Sequence, residues 1–314
     1  MNMKAIVINQ YGGKEELKET TVNKPSINEN QVLVEIHATS VNPIDWKMRE
    51  GYLKEMFPFE FPITLGWDAA GIITETGSKV KGFQKGDRVF TRPATTRHGT
   101  YAEYVAVEEE RLAKMPDEMS FEEGAAIPLA GLTALQCIQD LGEVQEGQRV
   151  LIHAGAGGVG NFAIQIAKHI GAYVVTTASG KNEDLVTSLG ADQLINYKEE
   201  DFSEAVENID FVLDAVGGDV QAKSYKVLKE NGKLVSIVEP PSEEEAKKYG
   251  VDASFHWLKE NGKQLQQLAD LYTTGEVKPV INKVFPFHEH GLQEAHSLSE
   301  SHHASGKIVI QIKE

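Results

Sequence analysis

One segment constrains the fold of this chain more than any other: a short apolar strand that leads through a glycine-rich loop into a long amphipathic helix. The strand is predicted over Arg149–His153, the loop is Ala154–Gly160, and the helix is predicted over Gly158–Ile170. Apolar side chains of the helix recur at i, i+3, i+4, i+7, i+8 and i+11, which places them on one face: Val159, Phe162, Ala163, Ile166, Ala167 and Ile170. With a further strand beginning at Ala172, the segment predicts a right-handed βαβ unit in a parallel sheet.

The glycines of this loop predict phosphate binding. The loop reads A-x-x-G-x-x-G, carried by Ala154, Gly157 and Gly160. A residue without a Cβ permits a tight turn and a close approach of backbone amides to a pyrophosphate, which the N-terminus of the helix then attracts. A glycine pattern alone also occurs in ordinary turns. Here strand, loop, helix and second strand come in the required order, so the sequence predicts a dinucleotide site.

The end of the second strand favours NADPH over NADH. An acidic side chain at that point would accept a hydrogen bond from a ribose 2′-hydroxyl and repel a 2′-phosphate. The chain instead carries Ser179 and Lys181, and the first acids, Glu183 and Asp184, fall inside the next predicted helix. A hydroxyl and an ammonium suit a 2′-phosphate. The alternative for Lys181 is an ordinary surface lysine.

The remainder of the chain divides into a β-rich part and a part in which strands alternate with helices. Short strands rich in Val, Ile, Thr and Tyr fill the first third, and a last strand is predicted over Lys307–Ile312. We therefore expect an α/β fold with a small β domain and a doubly wound parallel sheet. The predicted domains are residues 1–125 with 259–314, which is discontinuous, and residues 126–258.

Composition excludes several classes of protein. The formal net charge of the 314 residues is −16, which disfavours binding to a nucleic-acid backbone. One cysteine, Cys137, allows neither an internal disulfide nor a zinc site with two or more cysteine ligands. The longest stretch without charge, residues 124–139, is too short for a membrane span. A soluble, cytoplasmic protein without membrane association is expected.

Four motifs in order point to one family. Val41–Lys47, Leu65–Gly71, Leu129–Ala134 and Ala154–Gly160 together resemble the medium-chain dehydrogenase/reductase superfamily, in its zinc-free quinone oxidoreductase-like branch. The resemblance runs over nearly the whole chain. It implies a GroES-like β domain, a Rossmann domain that binds the cofactor, and a C-terminal segment that returns to the first domain.

The resemblance also implies chemistry without a metal. Zinc-dependent relatives place a cysteine and a Gly-His-Glu motif in the first domain, whereas this chain has Asp45 near the first position and Trp67-Asp68 at the second. Without a Lewis acid, alcohol oxidation loses the group that stabilises an alkoxide. Hydride transfer from NADPH to a quinone or an activated C=C bond needs less help, because the acceptor delocalises the arriving charge.

Site residues carry over from the family by position. The expected cofactor contacts are Thr133, Ala156, Gly157, Gly158, Val159, Ser179, Lys181, Tyr197, Val216, Gly218, Val238, His303 and Ala304. The expected catalytic residues are Asn42 and Asp45, with Tyr52 as a substitute for a family tyrosine at the position of Lys47. Asn42 and Asp45 also suit structural roles at a turn and in the first turn of a helix. Because Lys47 departs from the family, alkenals and enones are acceptors on equal terms with quinones.

Two alternatives and one assembly stay open at this point. The protein is an NADPH-dependent reductase or an NADPH-binding redox sensor without significant turnover. RNA binding, an activity associated with one branch of the family, is disfavoured by the net charge of −16. Relatives often pair through an exposed edge of the Rossmann sheet, so a homodimer through a strand at Val251–Phe255 is expected.

Overall fold

The computed structural model describes residues 1–313, which form three sheets and ten α-helices. The strands are β1 (Asn2–Ile8), β2 (Lys18–Asn23), β3 (Gln31–Val41), β4 (Ile63–Thr64), β5 (Ala69–Thr76), β6 (Arg88–Thr91), β7 (Tyr104–Glu108), β8 (Leu112–Lys114), β9 (Arg149–Ile152), β10 (Tyr173–Ala178), β11 (Gln193–Asn196), β12 (Ile209–Asp214), β13 (Leu228–Ser236), β14 (Asp252–Phe255), β15 (Ile281–Pro286) and β16 (Lys307–Gln311). The helices are α1 (Pro43–Arg49), α2 (Phe121–Ala126), α3 (Pro128–Leu135), α4 (Gly158–Ile170), α5 (Glu183–Ser188), α6 (Phe202–Ala205), α7 (Gly218–Ser224), α8 (Glu243–Tyr249), α9 (Gly262–Thr273) and α10 (Glu289–Glu300).

The chain forms two compact units. The first contains Met1–Leu129, Glu260–Thr273 and the chain from Pro279 onward, and the second contains Ala130–Lys259 and Thr274–Lys278. In the first unit, β2-β1-β4 form a small sheet, and β15-β16-β3-β5-β6-β8, with β7 on β3, form a larger one. β16 pairs antiparallel with β3, so the C-terminal strand belongs to the first unit.

Buried apolar clusters hold the first unit together, and two of them are large. One packs Ile6, Trp67, Tyr101 and Leu292 from four separate parts of the chain, all fully buried. The other lies around β3 and β5, where the two strands approach closely because residue 71 is glycine: a Cβ there would lie 2.0 Å from a backbone oxygen of β3. Burying one large aliphatic or aromatic side chain stabilises a fold by about 1.5–3 kcal/mol, so these clusters fix the elements that carry the site.

The helix α1 follows β3 directly and begins for local reasons. Pro43 occupies its first position, where the missing N–H is not needed and the fixed φ suits a helix. Asp45 Oδ2 accepts the backbone N–H of Asn42 at 2.8 Å, and the Asp45 N–H donates to the Asn42 carbonyl oxygen at 2.9 Å. Asn42 therefore begins the helix through its backbone, which leaves its side chain available for other contacts.

The second unit is a wholly parallel six-stranded sheet in the order β11-β10-β9-β12-β13-β14. The order reverses at β9, and the carboxyl ends of all six strands lie along one edge. Helix α4 spans the predicted residues and ends at Gly171, whose φ of 94° suits a residue without a Cβ. The predicted fold class, a small β domain with a doubly wound parallel sheet, is confirmed. Among the described residues, no helix is long and apolar enough to cross a membrane.

Candidate active site

The loop after β9 has the geometry of a phosphate cradle. Gly157 precedes the first turn of α4, with no side chain capping that end of the helix. Amides in the first turn of a helix have no intrahelical acceptor and are free to bind an anion. The backbone packs so tightly that a Cβ on Gly160 would lie 2.3 Å from the Ala154 carbonyl oxygen and 2.7 Å from the Cα of Gly155. Ala154 itself has a φ of 54°, in the left-handed region.

Ala156, Gly157, Gly158 and Val159 thus lie together at the carboxyl end of β9, as a pyrophosphate contact requires. Behind them, the Asn161 amide donates to the carbonyl oxygens of Gly157 and Gly158, both at 2.8 Å. This side chain therefore fixes the backbone at the start of the helix, where the first-turn amides have no intrahelical acceptor. The loop can hold an anion by its backbone alone.

The loops after β12 and β13 lie along the same edge. Asp214, at the end of β12, is fully buried and accepts four hydrogen bonds: from the amides of Val216 and Gly217, from Gln221 Nε2 and from Ser236 Oγ. It therefore shapes the turn that carries Val216 and Gly218 and ties it to the end of β13, which precedes Val238. The amide of Gly218 donates to the Glu239 carboxylate.

The ends of β10 and β11 bring a hydroxyl, a cation and an aromatic ring to this edge. Ser179 follows β10 and is buried, whereas Lys181 is exposed in the turn after it and forms no ion pair with any of residues 1–313. Tyr197 follows β11, its amide donates to the Ala178 carbonyl oxygen, and its side chain is 59% exposed. The acids Glu183 and Asp184 lie in the first turn of α5, beyond the strand end.

Three predicted cofactor residues are not on the loops that follow the strands of the parallel sheet. Thr133 is a buried residue of α3 in the second unit. His303 and Ala304 belong to the first unit, between α10 and β16, and His303 is exposed. Their contacts with a cofactor stay predictions.

Gly160→Ala is expected to weaken binding of the nicotinamide cofactor at least tenfold and to destabilise the second unit. A helix gains about 1 kcal/mol when alanine replaces glycine, but forcing a methyl group into a packed site costs about 1–3 kcal/mol. The clash wins here because both opposing atoms are backbone. Fluorescence titration with NADPH and urea unfolding measure the two effects.

Gly82→Ala is the matched control for that change. A Cβ at Gly82 would have as its nearest contact Glu109 Oε1 at 3.1 Å, the end of a side chain and not a backbone atom. Its NADPH affinity is expected to equal that of the unsubstituted protein. Unchanged NADPH affinity in Gly160→Ala would show that the tight loop is not the phosphate site.

The first unit contains a buried cluster of ionic side chains centred on Asp68. Asp68 Oδ2 accepts from Ser40 Oγ and Asn42 Nδ2, both at 2.7 Å, and Asp68 Oδ1 accepts from the amide of Leu129 at 2.8 Å. The ammonium of Lys307 lies 3.5 Å from the same Oδ2. Both oxygens of Asp68 therefore act as acceptors.

Lys307 is the charged partner of Asp68 in this cluster. Its side chain is 3% exposed, and its Nζ meets three acceptors: Asn42 Oδ1, the Val41 carbonyl oxygen at 3.5 Å and Asp68 Oδ2. Burial lowers the pKa of Lys307, whereas Asp68 and Asp45 raise it. An ammonium with an acceptor for each of its three N–H groups keeps all three protons.

These two neighbours fix the orientation of the Asn42 amide. A lysine ammonium only donates, so Oδ1 must face Lys307, and Nδ2 at the other end of the amide donates to Asp68 Oδ2. The second N–H of Nδ2 has no acceptor within residues 1–313. Asn42 is 2% exposed.

A second chain of hydrogen bonds fixes the proton of Asp45. Arg49 donates to His296 Nδ1 at 3.1 Å, and a guanidinium can only donate, so Nδ1 is an acceptor and Nε2 carries the ring proton. Nε2 lies 3.1 Å from the Tyr101 hydroxyl, which therefore accepts from His296 and donates to Asp45 Oδ2 at 2.8 Å. Burial and Arg49 lower the pKa of His296 to about 3, which keeps the ring neutral.

Asp45 Oδ1 is consequently the atom that binds a proton. It is buried and unpartnered among the described residues, whereas Oδ2 accepts from both Asn42 and Tyr101. Burial raises the pKa of Asp45 to about 7, opposed by those two hydrogen bonds, and the charge of Asp68 raises it further. Near neutral pH the carboxyl group exchanges a proton at Oδ1.

Tyr52 lies outside this network. Its side chain is 71% exposed in the turn after α1, and its ring meets the edge of Trp46 at a centroid distance of 6.3 Å. Lys47, which replaces the family tyrosine, places its ammonium 5.8 Å from the Trp46 ring. The structure brings Asn42 and Asp45 together and does not join Tyr52 to them.

The donor set does not fit a zinc ion. Among residues 1–313, no group of three or more His, Cys, Asp and Glu side chains is arranged to hold a metal. Trp67, at the position of the family histidine, is buried with its Nε1 donating to the Thr96 carbonyl oxygen. Asp68 stands at the position of the family glutamate, and both of its carboxylate oxygens accept hydrogen bonds from protein donors.

Two buried groups have structural roles. His153 lies between Thr177 and Ser224, and since Ser224 donates to the Val220 carbonyl oxygen, it must accept from His153 Nε2. Burial lowers the pKa of His153 to about 4, so the ring is neutral. Burial raises the pKa of the Cys137 thiol well above its ordinary value, which disfavours the thiolate and hence a role as a nucleophile.

Sequence reasoning missed the partners that orient the predicted residues. Lys307, Tyr101 and His296 lie far along the chain from Asn42 and Asp45, and no local pattern joins them. The sequence offered one signal for Asp214, because a carboxylate at the end of a predicted apolar strand occupies a parallel-sheet edge.

Comparisons with known proteins agree with this geometry. Residues 28–117 match the family model described as alcohol dehydrogenase GroES-like domain, and residues 189–310 match that described as zinc-binding dehydrogenase. The chain is 37% identical to an Arabidopsis thaliana NADPH-dependent alkenal/one oxidoreductase of the chloroplast, over 98% of this chain and 79% of the relative. It is 37% identical, with the same shares, to a 2-methylene-furan-3-one reductase of Solanum lycopersicum.

A solved structure extends the likeness over both units. The quinone oxidoreductase from Coxiella burnetii superposes with a TM-score of 0.92 and 38% sequence identity, covering 100% of each chain. Matches of this identity and coverage, together with a dinucleotide-binding sheet, show an oxidoreductase of this type with a fold that binds a nicotinamide cofactor. The chain belongs to the medium-chain dehydrogenase/reductase superfamily, in its quinone oxidoreductase-like branch.

Proposed function

We propose that the protein reduces quinones or α,β-unsaturated carbonyl compounds with NADPH, without zinc. The observation that carries the proposal is the carboxyl edge of the parallel sheet, where a glycine cradle after β9 and a free lysine after β10 have no competing carboxylate at the strand end. Relatives named alkenal/one oxidoreductase and quinone oxidoreductase support the acceptor class.

The residues of the second unit suit NADPH in two places. The first-turn amides of α4, with Ala156, Gly157, Gly158 and Val159, would hold the pyrophosphate. Ser179 and Lys181 would hold the 2′-phosphate through charge-assisted hydrogen bonds, with Tyr197 beside them. When bound, NADPH supplies the hydride. Thr133, Val216, Gly218, Val238, His303 and Ala304 are proposed as further contacts.

In the first unit, we propose that Asn42 donates a hydrogen bond to the oxygen of the acceptor. Negative charge collects on that oxygen as hydride arrives, and an oriented N–H stabilises it. Asp45 can hold a proton at Oδ1, and its Oδ2 also accepts the backbone N–H of Asn42 at the start of α1. Tyr52 is exposed and lies outside the network of Asn42 and Asp45, so its catalytic role stays a prediction from the sequence. Tyr52→Phe is expected to change kcat less than twofold.

The absence of zinc from the reaction is part of the proposal. It rests on the residues themselves, since Trp67 has no metal-binding atom and Asp68 has donors on both oxygens. A homodimer through β14, the edge strand of the sheet, and a cytoplasmic location are kept as predictions. Light scattering and gel filtration test the first of these.

An acceptor panel tests the function. Oxidation of NADPH is followed by absorbance with 1,4-quinones, alkenals, cyclic enones and no acceptor, before and after treatment with a chelator. Turnover with a quinone or enone that survives chelation supports the proposal. Tight NADPH binding with no consumption across the panel would instead favour a redox sensor, and loss of turnover on chelation would contradict zinc independence.

Lys181→Ala is expected to weaken NADPH binding about ten- to a hundredfold and to leave NADH binding unchanged, because a charge-assisted hydrogen bond is worth about 1.5–3 kcal/mol. Titrations with both cofactors measure the selectivity. Lys226→Ala is the matched control, since Lys226 is exposed just before β13 and lies at the amino edge of the same sheet. Equal losses for NADH and NADPH would refute the role of Lys181.

A further inference from the structure

The Asn42 amide is held from both ends by charged, buried side chains, which is more than a structural turn requires. The backbone of Asn42 already begins α1 through Asp45, so the side chain is not needed there. Its Oδ1 accepts from the Lys307 ammonium and its Nδ2 donates to Asp68 at 2.7 Å. Lys307 comes from the C-terminal strand and Asp68 from the segment before β5, so two distant parts of the chain converge on one amide.

This arrangement removes the other orientation of the amide. A flipped Asn42 would point N–H groups at an ammonium and an oxygen at a carboxylate, which replaces two attractive contacts with two repulsive ones. The cation on Oδ1 also polarises the amide, so the remaining N–H becomes a stronger donor. That N–H has no acceptor among residues 1–313.

We infer that Lys307 and Asp68 are positioning residues, which hold the Asn42 amide so that its second N–H binds the oxygen of the acceptor. The inference rests on the proposed function, because it requires an acceptor with an oxygen that gains charge during hydride transfer. The role of the two charged residues is to orient and polarise a donor, and neither of them touches the acceptor itself.

Variants of the three residues test the inference by kcat at saturating NADPH and acceptor. Removal of one donor to a developing oxyanion lowers kcat about 10²–10³-fold, so Asn42→Ala is expected to lose about a hundredfold. Lys307→Met is expected to lose about tenfold, because the amide is still present but is no longer fixed or polarised. Lys313→Met is the matched control, since it makes the same substitution in the same C-terminal segment, at a half-exposed lysine that pairs with Glu35 at 2.6 Å outside the Asp68 cluster; its kcat is expected to stay within about twofold.

A double-variant cycle separates positioning from a general structural effect. If Lys307 acts through Asn42, adding Lys307→Met to Asn42→Ala lowers kcat no further. Independent losses that multiply would overturn the inference, as would a loss confined to the Kd for NADPH. Where Lys307→Met does not accumulate in folded form, the charge-neutral pair Lys307→Met/Asp68→Asn takes its place in the same cycle.

The unsubstituted protein distinguishes this inference from the function on which it depends. Turnover with quinone or enone, combined with a normal kcat in Asn42→Ala, would overturn the positioning role and leave the proposed function intact. No turnover with any acceptor of the panel would overturn both. A hundredfold loss in Asn42→Ala, a tenfold loss in Lys307→Met and no further loss in their combination is the result that we expect.

Discussion

Lys307→Met is expected to lower the free energy of unfolding of the first unit by about 3–5 kcal/mol, because removing one partner of a buried ion pair leaves the other charge unpaired. Asp68 would keep its hydrogen bonds from Ser40, Asn42 and Leu129 but lose the ammonium that lies 3.5 Å from its Oδ2. Methionine fills a volume similar to that of lysine, so the decrease in unfolding free energy measures the loss of the charge more than the creation of a cavity. Urea unfolding followed by tryptophan fluorescence measures it, with the buried Trp67 as a probe in the same unit.

Lys313→Met provides the comparison within the same C-terminal segment. Lys313 pairs with Glu35 at 2.6 Å, but its side chain is 37% exposed. Exposed pairs contribute about 0–1 kcal/mol, so this variant is expected to lose no more than that. The double variant Lys307→Met/Asp68→Asn is expected to be more stable than Lys307→Met, since it removes the unpaired charge. Equal losses for Lys307→Met and Lys313→Met would contradict the buried pair.

The second unit could be predicted from sequence because its signals are local. The helix over Gly158–Ile170 has a continuous apolar face and a glycine at each end, and its bounds in the structure equal the predicted ones. Parallel strands buried on both faces read as short apolar runs between helices. The order of these elements then places the residues after β9, β10, β11, β12 and β13 on one edge, with no need for long-range information.

The first unit was harder to predict for a physical reason. Strand β2 is a polar and exposed edge strand, so neither alternation nor apolar content marks it. Strands β4 and β8 have two and three residues, too few for a pattern. The orienting cluster is less visible still, because Asn42 and Lys307 meet only when β16 pairs with β3, after a separation of 265 residues.

The sequence therefore allowed candidate functional residues to be named, but not the hydrogen-bond partners and charges that surround them. Asn42 and Asp45 were expected near the chemistry, but their charge states depend on partners that no motif contains. Asp68 was noted only as a departure from a zinc motif, whereas the structure makes it the acceptor of four donors. Tyr52 was proposed from proximity in sequence, and the structure leaves its side chain exposed.

Asp45→Asn is expected to remove the part of the pH dependence of the unfolding free energy that comes from Asp45. The pKa of Asp45 is raised to about 7 in the folded protein from 3.8, chiefly by burial, so the folded state holds a proton that the unfolded state releases. The stabilisation from that proton is complete below pH 3.8 and is lost as the pH rises through 7. A shift of this size corresponds to on the order of 4 kcal/mol at 1.36 kcal/mol per unit.

Asparagine imitates the protonated acid at every pH. Its carbonyl oxygen can take the place of Oδ2 and accept from Asn42 and Tyr101, and its amide nitrogen takes the place of the unpartnered Oδ1. The unfolding free energy of the variant minus that of the unsubstituted protein is thus expected to rise by on the order of 4 kcal/mol from pH 4 to pH 8. The size of this difference at pH 4 does not affect the test. Urea unfolding at a series of pH values gives this difference directly.

The neighbouring charges decide whether the difference belongs to Asp45. Asp68 raises the pKa of Asp45 and Lys307 lowers it, while the buried Arg92 interacts with both carboxylates. The pKa values of His296 and His153 are lowered to about 3 and about 4. These two histidines therefore lower the unfolding free energy as the pH falls, which is the opposite of the effect of Asp45. Their contributions are common to both proteins and cancel in the comparison. A difference in unfolding free energy that does not change between pH 4 and pH 8 would mean that Asp45 does not titrate near neutrality, and that Oδ1 holds no exchangeable proton for the reaction.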